Sequence, residues 1–175
     1  FGAQQYDSSA AGLWHFEETG DYTYNLKDSS GNGNNGTNYG TTPINGFFGK
    51  AREFNGSSDY ISLAGSSNFD LQKITISAWV YSDDFTRNMF VFEKTTNGTV
   101  NTQYSCFFSS GGTFIFRTYN ASSTGDDLSI TTSSYFQNNA WNHIACTYNG
   151  STKAIYVNGV LAGSKAYSQT LITNP

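Results

Sequence analysis

The sequence predicts an all-β, antiparallel fold, a sandwich or a barrel, and three observations carry that prediction. Asn-Gly pairs, the strongest short hairpin signal, begin at Asn32, Asn35, Asn45, Asn55, Asn97, Asn149 and Asn158. Short runs of alternating apolar and polar residues lie between them. No stretch carries the apolar spacing of an amphipathic helix, and strands at this spacing with no helices between them pair antiparallel.

Taken in order, the expected strands begin with Gly12–Phe16, then Ala51–Phe54 and Asp59–Leu63. The segment from Lys27 to Gly46, dense in Gly and Asn, reads as one long polar loop within the domain. The clearest strand is Ile74–Tyr81, where Ile74, Ile76, Ala78 and Val80 line one face and Thr75, Ser77, Trp79 and Tyr81 the other. Met89–Glu93, Tyr104–Phe108 and Thr113–Tyr119 follow, then a flexible tract from Asn120 to Asp127. Trp141–Tyr148 and Lys153–Asn158 complete the set. Proline occurs only at Pro43 and Pro175, so the strands are otherwise uninterrupted.

At 175 residues the chain suits one domain, and its charged residues amount to only 13%. Ser, Thr, Asn and Gly supply the polarity instead, a profile that suits a secreted or surface-displayed β-protein. The net charge is −4, and the nine basic residues are scattered singly. A phosphate backbone needs a basic patch, so nucleic acid is excluded as the main partner. No run of about 18 apolar residues exists to span a bilayer as a helix. Phe1 to Gln5 has neither the basic start nor the apolar run of a secretory signal, and the chain reads as a processed or excised segment. Cys106 and Cys146 each fall in an expected strand, either as one disulfide or as two buried thiols, and their spacing matches no zinc motif.

Five segments in order resemble laminin G-like domains of the concanavalin A-like lectin/glucanase superfamily. They are Gly12–Glu18 with Asp28–Thr37, Phe48–Ile61, Ile74–Val80, Trp141–Gly150 and Ile155–Gly159. The resemblance implies a two-sheet antiparallel jelly-roll sandwich over residues 12–175, preceded by an amino-terminal extension over 1–11. It places Trp14, Trp79 and Trp141 on strands, in the core. It also implies a closing strand after the last segment, beside the strand carrying Trp14 and Phe16. The sequence stops at Leu171-Ile172-Thr173-Asn174-Pro175 without one, so a fragment, a rearrangement of the amino-terminal residues, or a strand lent by another chain is expected.

Catalysis finds no footing. Retaining glycosidases need a carboxyl pair about 5–5.5 Å apart. The only glutamates are Glu17, Glu18, Glu53 and Glu93, with no Glu-x-Asp-x-Glu spacing. His15 and His143 lack a serine in a nucleophile-elbow context. Laminin G-like and pentraxin domains often hold calcium at a rim, which by resemblance nominates Asp28 and Asn32 in one loop and Asn55 and Asp59 around another turn. The competing role for these side chains is capping turns through bonds to backbone amides. Tyr22, Tyr24, Tyr39 and Tyr119 fall in or beside polar loops, where aromatic faces can stack on sugar rings.

The expected function is therefore non-catalytic recognition of a glycan or a cell-surface protein, with calcium as the candidate cofactor. The alternatives are a structural or interaction module of a fibre or adhesin, and an accessory domain of a carbohydrate-active enzyme.

Overall fold

The computed structural model describes residues 9–19, 26–95 and 102–173. Two compact units divide the chain, Phe1–Phe69 and Asp70–Pro175.

In the first unit, β1 (Gly36–Tyr39) pairs antiparallel with β4 (Tyr60–Leu63), and β2 (Thr42–Asn45) with β3 (Lys50–Glu53). The expected polar loop thus contains two strands. Neither GTNY nor TPIN shows apolar alternation, so their pairing rests on partners elsewhere in sequence. The expected strand Gly12–Phe16 is not formed. Trp14 makes a single bridge to Asp28, and Phe16, at φ 61°, turns the chain out of the extended region.

The second unit is a sandwich. One sheet has the order β12-β11-β10-β5, from Val160–Ala166, Thr152–Val157, Ala140–Tyr148 and Ile74–Ser82. The other runs β6-β7-β8-β9, from Met89–Thr95, Thr102–Ser109, Thr113–Tyr119 and Gly125–Thr131. All neighbours are antiparallel. Asn158 and Gly159, at φ 50° and 80°, close the β11–β12 hairpin as a two-residue turn, as the Asn-Gly signal predicts. Among the described residues β5 is bonded on one side only, to β10.

Both sheets contribute their inner faces to one core, which includes Phe108, Phe114, Phe116, Ile144 and Ile155. Phe85, Phe108, Phe114 and Phe136 meet ring to ring at one end, with centroids 4.7–5.6 Å apart. Each side chain of this kind contributes about 1.5–3 kcal/mol through burial. Cys106 and Cys146 stand in the same core as free thiols, and burial, followed by the Cys146 thiol, pushes Cys106 well above the usual thiol range.

Trp79 departs from expectation. The alternation of β5 sends Ile74, Ile76, Ala78 and Val80 inward as predicted, so Trp79 must point out, and it is 40% exposed. The resemblance placed Trp79 and Trp141 in the core, but strand parity sends both to the outer face, Trp141 opposite Tyr81.

Candidate ligand-binding corner

Tyr119 ends β8, and the turn after it sets a local constellation. Asn120 Oδ1 accepts from the Ser122 and Thr124 amides at 3.0 and 2.9 Å, and β9 then starts at Gly125 opposite Tyr119. A Cβ on Gly125 would lie 3.1 Å from the Tyr119 ring, so glycine leaves that ring its room. The expected flexible tract Asn120–Asp127 is instead a capped turn and the beginning of a strand.

Arg117 and Asp127 are cross-strand partners on the outward side of this hairpin. Arg117 Nε and Nη2 donate to the two carboxylate oxygens of Asp127, each at 2.7 Å. That two-pronged bond is the first cause raising the Arg117 pKa, with partial burial opposing it. The guanidinium carbon also sits 5.2 Å from the centre of the Phe107 ring, which stacks on Phe90 at 5.0 Å.

Asp126 faces the other way and anchors the corner to the core. Its Oδ2 accepts from Lys165 Nζ at 2.5 Å and its Oδ1 from Lys153 Nζ at 3.2 Å. Lys153 is fully buried, donates also to Thr118 Oγ1 and the Asp126 carbonyl, and lies over the Phe116 and Tyr167 rings. Burial lowers the Lys153 pKa, with the Asp126 hydrogen bond opposing. Burial would raise Asp126, but its bonds to Lys165 and Lys153 outweigh that and hold it below the usual carboxylate range.

Arg117, Tyr119, Gly125, Asp126 and Asp127 line an open hollow of about 380 Å³. It brings together a tyrosine, a guanidinium that interacts with that tyrosine as well as with Asp127, and a carboxylate. A polyhydroxylated ring needs all three: a surface to stack on, a donor and an acceptor.

The other nominated residues are placed differently. Tyr22 and Tyr24 lie outside the described residues. Tyr39 stacks on Tyr60 with centroids 4.5 Å apart, both rings exposed in the first unit. Asp28 is buried, and both its oxygens are engaged by protein donors. Oδ1 accepts from the Leu13 and Ser30 amides, and Oδ2 from the Ser30 hydroxyl and the Asn34 amide. Burial would raise its pKa, but the Ser30 bonds, then those from Leu13 and Asn34, hold it low. Asn32 donates to the Ala10 carbonyl and to Ser30 Oγ.

Asn55 Oδ1 caps the amides of Ser57, Ser58 and Asp59, while Asp59 Oδ2 accepts from the Asn55 amide. These are the turn-capping roles. Calcium takes six to eight oxygen ligands, and as arranged these four side chains do not fit it. Among the described residues no three His, Cys, Asp or Glu side chains cluster to hold a metal. A hollow of about 480 Å³ does open beside Asp28, but glycines and Asn35 line much of it, and its one cationic side chain is Lys27.

Arg117 and Asp127 were not singled out from the sequence. Single charges on strands look like ordinary solvated side chains until the register of β8 against β9 puts them face to face.

The family model described as the concanavalin A-like lectin/glucanases superfamily matches residues 55–175. No curated protein sequence matches the chain. The binding domain of Paraclostridial mosquitocidal protein 1 superposes with a TM-score of 0.67 at 20% identity, over 93% of this chain and 41% of that one. The botulinum neurotoxin serotype D ligand binding domain, in complex with N-acetylneuraminic acid, gives 0.64 at 18% identity, over 85% and 38%. An S-layer domain-containing protein from Clostridium thermocellum gives 0.53 at 24% identity, over 88% and 71%. The chain thus spans about two fifths of the length of the first two of these domains, and at these identities the likeness is one of fold.

Proposed function

Because the chain belongs to the concanavalin A-like lectin/glucanase superfamily, we propose that it is a non-catalytic recognition domain, and that its ligand is a glycan displayed at a cell surface or in a matrix. One observation carries this reading. Tyr119, Arg117 and Asp127 line a single open hollow, the last two joined as a two-pronged pair. In this reading the Arg117 guanidinium, which interacts with both Asp127 and Tyr119, donates to a sugar hydroxyl or carbonyl, Asp127 accepts from a neighbouring hydroxyl, and Tyr119 stacks on the ring. Asp126, held by two lysines, positions the strand end rather than meeting ligand.

Two structural neighbours support the reading in kind, since both are binding domains and one, from a neurotoxin, was solved with a sugar. The S-layer domain-containing neighbour supports surface display as the setting. A strand lent by another chain would add at an open sheet edge, and among the described residues of the second unit β5, β12, β6 and β9 each pair on one side only. Sedimentation of purified protein as a strict monomer at all concentrations would dismiss self-pairing there.

The test is a glycan array probed with the labelled domain, with and without calcium. Binding is expected to saturate and to weaken at least tenfold, about 1.4 kcal/mol, in Tyr119→Ala and in Asp127→Asn. No binding to any glycan under either condition would favour the structural or protein-interaction module instead.

A further inference from the structure

The outer face of the β12-β11-β10-β5 sheet presents a second arrangement of aromatic side chains, on different strands from the corner. Register puts Trp79 directly opposite His143 and Tyr81 directly opposite Trp141. The Trp79 and His143 rings are 5.2 Å apart, and the Tyr81 and Trp141 rings 5.7 Å. Ser77 Oγ shares a hydrogen bond with His143 Nε2 at 2.8 Å, fixing the imidazole against the sheet. Tyr156 continues the face on β11, beside Ala145. Trp79 is 40% and Tyr81 51% exposed, in a sheet whose opposite face is core.

Charge is what distinguishes this face. By strand parity its outward positions on β5, β10, β11 and β12 hold Thr, Ser, Ala, Leu, His and aromatic side chains, and no Asp, Glu, Lys or Arg. The chain carries 13 acidic and nine basic residues, so their absence from a whole sheet face is a property of that face. A nucleic acid strand would stack there but would find no cation for its phosphates. An anionic glycan lacks a partner for the same reason. What matches a flat, uncharged surface of rings and hydroxyls is a neutral chain of pyranoses. Sugar rings offer C–H faces to aromatics and hydroxyls to Ser77, His143 and Tyr81. The two ring pairs are two residues apart along each strand, about 7 Å, so consecutive sugars of one chain reach both.

We propose that this face is a platform for a neutral polysaccharide, distinct from the single-ring corner at Tyr119. The proposal shares the glycan-recognition reading but stands on other strands, so the two fail separately. Affinity electrophoresis through gels containing glucomannan, mixed-linkage β-glucan or hydroxyethylcellulose tests it, alongside tryptophan fluorescence titrated with cellohexaose and cellobiose. The neutral polymers are expected to retard the domain, and the hexamer to bind at least tenfold tighter than the dimer. Tyr81→Ala and Trp141→Ala should each weaken retardation at least tenfold, and Trp141→Phe should restore part of it. Tyr81 is half exposed, so its truncation keeps the test independent of folding, with circular dichroism as the check. The platform is refuted by no retardation in any of the three polymers, by stronger retardation in dextran sulfate, or by wild-type retardation of both Tyr81→Ala and Trp79→Ala.

Discussion

The corner at Tyr119 and the face around Trp79 belong to the two sheets of one sandwich, and they present opposite chemistry. The corner is held by charge: Arg117 to Asp127, and Asp126 to a buried lysine and an exposed one. The face is held by ring contacts and one Ser–His hydrogen bond, without a formal charge. Both arise from the same rule of strand parity, which sends every second side chain outward. The difference teaches that the fold supplies two outward surfaces, and that side-chain choice alone makes one directional and the other flat.

The largest effect should come from breaking the corner's anchor. Asp126→Ala leaves Lys153 charged and buried with its carboxylate gone. Removing one partner of such a pair costs about 3 kcal/mol, given that Asp126 itself is partly exposed. Urea denaturation should show it as a lower midpoint at unchanged slope. Lys153→Met should cost much less, because Asp126 retains Lys165 and the methionine keeps the apolar contacts.

Next in size are the binding effects. Tyr119→Ala should weaken monosaccharide-type ligands at least tenfold, and Tyr81→Ala should weaken polymer retardation as much. A double variant should lose both additively, since the two sites share no side chain. Titrations showing that either variant impairs both ligand classes equally would merge the two sites into one.

Acid comes third. Asp126 has a folded pKa below its ordinary value of 3.8, so its stabilisation is complete above that value and is lost as pH falls through the folded one. Thermal melts should therefore hold steady from neutral pH down to about pH 5 and drop below about pH 4, and Asp126→Ala should flatten part of that drop.

Smallest is calcium. The oxygens of Asp28 already accept four protein hydrogen bonds, so millimolar Ca²⁺ added to chelator-treated protein should leave the melting temperature where it was. A rise would show that the loops rearrange around the ion.

Much of the sandwich was legible in the sequence. Thr113–Tyr119 and the inward set Ile74, Ile76, Ala78 and Val80 were readable because their alternation is strict. β1, β2, β9 and β12 were not: GTNY, TPIN, GDDLSIT and VLAGSKA carry weak or mixed alternation, and each is extended because a neighbour's backbone bonds to it. Of the candidate corner, Tyr119 could be named from its place beside a polar loop. Arg117 and Asp127 could not, since neither carries a motif and their meeting depends on which residue opposes which.

By itself the sequence determined the class of fold, the hairpin turns at Asn45, Asn149 and Asn158, and the absence of a Glu-x-Asp-x-Glu motif, because each rests on local chemistry within a few residues. Only the tertiary structure decided which outward side chains become neighbours. Register across β5–β10 joins residues more than 60 positions apart, Trp79 to His143, and register across β8–β9 joins Arg117 to Asp127. A one-residue slip in either pairing would turn the slipped strand's side chains over, which is why surfaces that bind are written in register and not in composition.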